Sequence, residues 1–192
     1  MYLNGCLTGS SVAADLHYTA LVCDGVLTLN DLSHLPDTID PHRVSAARSL
    51  VQFMRAEIPL AHTMDVQLHA CTADMFSLHA PLAPNVNDKG CVFGGSLVSL
   101  LTLTGWGLVE LALRERDEAC DLYVSESTVR YLAPLWGDFH GEARLAEDNS
   151  WDTFFATLRA RGKARIEVAC VVPGDAGASA ATLSARFVAK RR

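Results

Sequence analysis

No two of the six cysteines (Cys6, Cys23, Cys71, Cys91, Cys120 and Cys170) stand in C-x-x-C spacing, and no histidines accompany them at finger spacing. A structural zinc finger and a dithiol redox motif are both excluded on spacing. Scattered, mostly apolar-flanked thiols fit small buried hydrophobes in a reducing compartment, so a cytoplasmic protein is expected. A positive excess is missing as well: Lys and Arg number 16 against 22 Asp and Glu, a net charge of −6. Phosphate backbones need concentrated cations, so nucleic acid is not an expected partner. The first residues lack the basic segment and apolar run of a secretory signal. No serine sits in a G-x-S-x-G context, which removes the nucleophile-elbow hydrolases.

Charge is also absent from Gly90 to Val109. About 20 apolar residues can cross a bilayer. Here two glycines, Ser96, Ser99, Thr102 and Thr104 interrupt the run, and no aromatic or basic girdle flanks it, so no membrane span is expected. A helix apolar on all sides is equally suited to being wrapped by a sheet.

The chain has 192 residues, 49% hydrophobic and 20% charged, an ordinary composition for one globular domain with a sizeable core. Residues 1–40 read as an N-terminal extension, with short apolar pieces (Leu21-Val22, Val26-Leu27) broken by Asp24-Gly25. Residues 41–192 read as the domain proper. Asp40 caps a helix that Pro41 opens and Pro59 stops, with Val44, Ala47, Leu50, Val51, Met54 and Ile58 at helical spacing. Alternation at Met64–Ala70 and Phe76–Ala80 predicts a hairpin. A long helix from Gly94 to about Arg114 follows. Alternating runs then come at Tyr123–Tyr131, Phe139–Leu145, Ala164–Val172 and Thr182–Val188. Between the second and third, Ser150 caps and Gly162 stops a short helix bearing Trp151, Phe154, Phe155 and Leu158. Two strands, one apolar helix, then four strands is an α+β order: a curled, mostly antiparallel sheet around one helix.

The stretch Asn85-Val86-Asn87-Asp88-Lys89-Gly90-Cys91-Val92-Phe93-Gly94-Gly95-Ser96 concentrates polar turn residues at the mouth of that helix. Paired glycines there let backbone approach a ligand closely, and free N–H groups face a developing negative oxygen. Gly95 and Ser96 are the expected backbone donors to such an oxyanion. A tight turn onto the sheet would explain the glycines too.

With Gly105-Trp106-Gly107 and the later S-T-V-R-Y-L-A-P-L-W-G-D-F-H-G-E-A-R-L, this stretch resembles the hotdog-fold family typified by the YiiD C-terminal domain, over about residues 58–190. The resemblance implies a hotdog fold, a homodimer, and an acyl-thioester site at the subunit interface. It also implies a pantetheine-linked substrate on coenzyme A or acyl carrier protein (ACP), with no metal or redox cofactor.

The chain departs from the carboxylates that hotdog thioesterases commonly use. Asn87 stands at the loop position, Thr102 at the helix position, and Phe93 where many relatives carry histidine. An amide, a hydroxyl and a phenyl ring supply no base near neutral pH. Asp88 alone remains for hydrolysis. Decarboxylation of a malonyl thioester needs no base: the site must hold the carbonyl, stabilise the enolate oxygen and keep the carboxylate poorly solvated. Asn87 as amide donor, the N–H groups of Gly95 and Ser96, and Phe93 with Gly94 as the apolar wall fit that list. The favoured reading is therefore a malonyl-ACP decarboxylase in fatty-acid metabolism. A thioester hydrolase with Asp88 as base, and a non-catalytic acyl-thioester binder, stay open.

Gly95, Ser99, Thr102 and Gly105 form a small-residue stripe that could hold a short acyl group or allow close packing. Arg161, Lys163 and Arg165 alternate, which on a strand puts them on one face, suited to an acidic ACP or the phosphates of coenzyme A, or else merely solvated. The closing Lys190-Arg191-Arg192 reads as a solvated end.

Overall fold

The structure, a computed structural model, describes residues 40–174 and 177–192. The expected extension up to residue 39 lies outside the described residues. Helix α1 (Pro41–Glu57) starts where the Asp40 carboxylate accepts the His42 N–H at 2.9 Å. It buries Ala47, Leu50, Val51 and Met54. Pro59 does not simply stop it. After an extended Ile58, Pro59 opens the short helix α2 (Pro59–Thr63), because its fixed φ suits a first turn and its missing N–H costs nothing there. Met64 and Val66 close that helix by donating to Leu60 and Ala61 carbonyls, so the following strand begins later than the alternation suggested.

Strands β1 (Gln67–Cys71) and β2 (Phe76–Ala80) form the expected hairpin. Then come the central helix α3 (Gly94–Arg114), β3 (Cys120–Tyr131), β4 (Phe139–Leu145), α4 (Trp151–Arg161), β5 (Lys163–Pro173) and β6 (Ser179–Arg191). The sheet order is β1-β2-β4-β5-β6-β3, every pairing antiparallel. This is the hotdog arrangement: one six-stranded sheet with α3 laid along one face.

Leu97, Leu100, Leu101, Leu108 and Leu111 of α3 share one core with Phe76, Leu78, Ile166, Val168 and Phe187 of the sheet. Each such side chain contributes about 1.5–3 kcal/mol on full burial, before the entropy of ordering it. Gly105 and Gly107 permit the contact: a Cβ on Gly105 would lie 3.0 Å from the Phe187 ring, and one on Gly107 2.5 Å from the Phe76 ring. Gly105 therefore serves packing against the sheet. The helix is long and apolar enough to cross a membrane, yet 67% of its apolar window is buried inside the protein. Burial is not uniform. Gly94–Ser96, Val98, Ser99, Thr102, Leu103, Trp106 and Glu110 are only half covered, so α3 is laid against the sheet with one stripe open.

Ser150 caps α4 and Gly162, at φ +66°, ends it, as the sequence predicts. The C-terminal arginines are not a free end: Arg191 pairs with Glu118 at 2.6 Å and Arg192 with Asp121 at 2.7 Å. On the sheet face turned away from α3, a bulge between Leu68 and Ala70 lets the His69 ring stack on His140, centroids 4.3 Å apart. His79 lies directly across the ladder from His140 and 6.4 Å from His69.

Candidate functional site

The loop leading into α3 is built on Asn85, which is 1% exposed. Its carboxamide nitrogen donates to the Met64 carbonyl at 3.0 Å and the Pro81 carbonyl at 2.8 Å, and its main-chain carbonyl accepts the Phe93 N–H at 2.7 Å. The side chain thus ties the end of α2 to the end of β2, and the main chain of the same residue holds the helix entry. A Val86–Val92 bridge and the Val92 N–H bond to Leu135 (2.8 Å) fix the rest.

Within this frame residues 87–91 make a tight turn, with Gly90 at φ +87° where a side chain would strain. The Asn87 Oδ1 accepts the Lys89 N–H at 2.8 Å and the Cys91 N–H at 3.2 Å. Backbone N–H groups can only donate, so these bonds settle which end of the amide is oxygen. Nδ2 lies 3.2 Å from the Cys91 sulfur, a weak acceptor, and its second N–H is the donor left for a ligand. Asp88 points elsewhere: its carboxylate is 80% exposed and held by Lys89 at 3.0 Å.

At the helix start, the expected donors shift by one residue. The Ser96 N–H is spent on the Phe93 carbonyl at 2.9 Å, which also accepts from Leu97 at 3.1 Å. Gly94 and Gly95 are the first-turn N–H groups without a partner among the described residues. Phe93 is 55% exposed, and its ring folds over the Gly95 Cα, where any Cβ would collide with it. Tyr131 lies beside Gly94, 3.5 Å from where a Cβ would stand. Phe93, Tyr131, Leu132, Trp136 and Val86, between 47% and 63% exposed, make an apolar rim around the helix mouth. Sequence reasoning found Phe93 but missed Asn85, Tyr131 and Trp136. The Pro84-Asn85 step and the R-Y-L-A-P-L-W run were the available signals.

Ser99 and Thr102 lie on the open stripe of α3 and line a groove of about 240 Å³ with Ile58, Leu60, Val98 and Leu103. Arg161, Lys163 and Arg165 lie elsewhere, lining a concavity of about 530 Å³ with Thr157 and Ala164. Arg161 ends α4 and only the other two sit on β5, so a single strand face does not unite them as the alternation implied. A roomier hollow of about 670 Å³ on the outer sheet face, between Arg130 and Arg144, is floored by strand side chains such as Ala169 and Ser184. It offers no free helix terminus.

The described cysteines are buried and unpaired. Burial pushes the Cys170 thiol up to about 12, and raises Cys71 and Cys120 as well, so none of these three is an activated nucleophile.

Residues 47–191 match the family model described as "putative thioesterase (yiiD_Cterm)". Among solved structures, a protein from Shewanella oneidensis described as a "putative thioesterase" is 28% identical, with a TM-score of 0.68 over 77% of this chain and 99% of that one. A protein of unknown function from Chlorobaculum tepidum is 26% identical, with a TM-score of 0.74 over 78% of this chain and 97% of that one. A Pseudomonas aeruginosa protein described as a probable thioesterase shares the fold at 22% identity, with a TM-score of 0.64 over 81% and 99%.

Proposed function

The chain belongs to the YiiD C-terminal thioesterase family, and from that premise we propose that it decarboxylates a malonyl thioester at the start of α3. The observation that carries this reading is a helix mouth with two backbone donors, Gly94 and Gly95, unpartnered among the described residues, and with the neighbouring Asp88 carboxylate held by Lys89 instead. Such donors stabilise negative charge developing on a thioester oxygen, and together with the helix dipole they are already oriented before reaction. The free Asn87 N–H is the third donor of the set.

In this reaction the bond between the malonyl carboxylate and the methylene breaks and CO2 leaves. The electron pair becomes the carbon–carbon double bond of an enolate, whose charge rests on the thioester oxygen. A solvent proton then adds to carbon and gives the acetyl thioester. The exposed rings of Phe93, Tyr131 and Trp136 supply an apolar wall that disfavours the carboxylate and favours its loss as CO2. A base carboxylate would repel the substrate, so Asp88 facing solvent is consistent with the scheme.

A second copy of the chain completes this reading. Among the described residues the outer edge of β3 is unpaired, and Leu122-Tyr123 and Tyr131-Leu132 stand at equal distances on either side of Ser127. An isologous antiparallel pairing about Ser127 would cover this edge and much of the apolar rim.

The test is to incubate the purified protein with malonyl-ACP, acetyl-ACP and a medium-chain acyl-ACP and read the carrier's mass. Conversion of malonyl-ACP to acetyl-ACP, with the others untouched, is expected. Free carrier would mean hydrolysis with Asp88 as the base to examine. Unchanged carriers would mean a binding protein.

A further inference from the structure

Six of the thirteen arginines of this acidic chain pair with its own carboxylates among the described residues. Arg43 pairs with Glu115, Arg55 with Asp65, Arg114 with Glu110, Arg186 with Glu126 and Glu167, and the last two as described above. The corner where α4 meets β5 gathers cations outside those pairs. Arg161, Lys163 and Arg165 line one concavity there, and none has a carboxylate within ion-pair distance among the described residues. Lys163 also stands directly opposite Lys190 in the β5–β6 ladder, a like-charge pair that weakens the sheet locally. The corner is nevertheless firmly built. Leu158, Ala164 and Ile166 are buried beneath it, Gly162 makes the turn, and the Gly162 carbonyl accepts the Arg191 N–H at 2.9 Å.

Taking the proposed function as given, we infer that this corner docks the acidic surface of the carrier protein that bears the thioester, and that it serves the helix mouth of the partner copy. The lining holds no aromatic or apolar wall for a nucleotide base and no buried donor for a phosphate, the features that mark small-molecule sites. Exposed cations spread over a helix end and a strand instead suit steering and registering of an anionic protein face. The placement follows from the ladder. Arg165 pairs with Val188, which pairs with Tyr123, whereas Gly94 lies against Tyr131, eight residues or roughly 26 Å farther along β3. Antiparallel pairing about Ser127 brings Tyr123 of one copy to Tyr131 of the other. The basic corner of each copy then lies on the side of the opposite copy's helix mouth.

The test is the full chain with Arg161→Glu, Lys163→Glu and Arg165→Glu together, assayed on malonyl-ACP and on malonyl-pantetheine. KM for the carrier should rise roughly tenfold or more, and lose its salt dependence, with kcat and the pantetheine reaction unchanged. An unchanged KM for the carrier would overturn the inference. Absence of turnover of either substrate by the unmodified protein would overturn the proposed function itself. Mixed dimers test the crossing. With the triple change in one copy and Asn87→Ala in the other, about half of full activity should survive, because the intact site is served by the intact corner. With both changes in the same copy, activity on the carrier should collapse at low substrate. The reverse pattern would place the corner and the site it serves in one copy.

Discussion

Asn87 and Cys91 hold each other three times over: Asn87 N–H to the Cys91 carbonyl at 2.8 Å, Cys91 N–H to Asn87 Oδ1 at 3.2 Å, and Asn87 Nδ2 against Cys91 Sγ at 3.2 Å. The residue therefore shapes the loop with its oxygen and keeps one amide N–H for a ligand. Asn87→Asp preserves the two bonds to Oδ1 and removes the Nδ2 donor together with its weak contact to Cys91 Sγ. It should fold with a nearly unchanged melting temperature and lose about 100-fold or more in decarboxylation, with a gain of hydrolysis as the new carboxylate becomes a base. Asn87→Ala should lose turnover and also melt earlier. A fully active Asn87→Ala protein would remove this residue from the mechanism.

Two glycines of α3 separate function from stability. At Gly107 an added methyl meets the Phe76 ring, 0% exposed and unable to yield. Overpacking of about 1–3 kcal/mol outweighs the ~1 kcal/mol that alanine gains in a helix, so Gly107→Ala should unfold at lower denaturant. At Gly95 the obstacle is the exposed Phe93 ring, which can swing aside into solvent. Gly95→Ala should leave the unfolding midpoint within experimental scatter while lowering kcat, because the wall beside the donors has moved. Denaturant titration beside turnover reads both.

Acid should be felt first at the stacked histidines. Burial, then the neighbouring His140 and His79, lower the His69 pKa, with Glu142 acting against them. The unfolded chain thus binds more protons than the folded one between the lowered value and the ordinary 6.5. Stability contributed by neutral His69 is complete above that ordinary value and is lost as pH falls through the folded one. Melting temperatures from pH 8 to pH 5 should fall, and His69→Gln should flatten the fall. An unchanged slope would mean that the stack does not couple to folding.

Ser127 is the centre of the proposed two-fold pairing, so Ser127→Asp would set two carboxylates against each other there. Sedimentation should show the dimer of the unmodified chain giving way to monomer, with turnover lost in parallel. A variant that stays dimeric would move the interface elsewhere.

Most of the scaffold was legible because two periods carry it. The alternation in β4 and β5, and the apolar spacing of α4 between Ser150 and Gly162, gave the expected elements almost to the residue. Pro59 misled, since the same ring that terminates one helix begins another, and only Met64 and Val66 bonding back to α2 decide between them. The helix mouth was legible as a motif but not as a set of donors. Which N–H remains free depends on Phe93 O taking Ser96, a matter of φ and ψ that no residue type announces. Asn85 escaped because its partners, Met64 and Pro81, are main-chain carbonyls, and carbonyls have no sequence signature.

Among the described residues strand β3 joins the sheet through β6 alone, which is synthesised much later, after β4, α4 and β5. During vectorial synthesis a long strand carrying Tyr123, Val124 and Tyr131 can lie against α3, but among the described residues it gains a strand partner only when Ser179–Arg191 has emerged. Assembly of this protein therefore contains an obligatory interval of stickiness. The same edge that is proposed to pair with a second copy in the mature protein invites indiscriminate company in the nascent one, and the yield of soluble chain should depend on how quickly translation carries β6 to it.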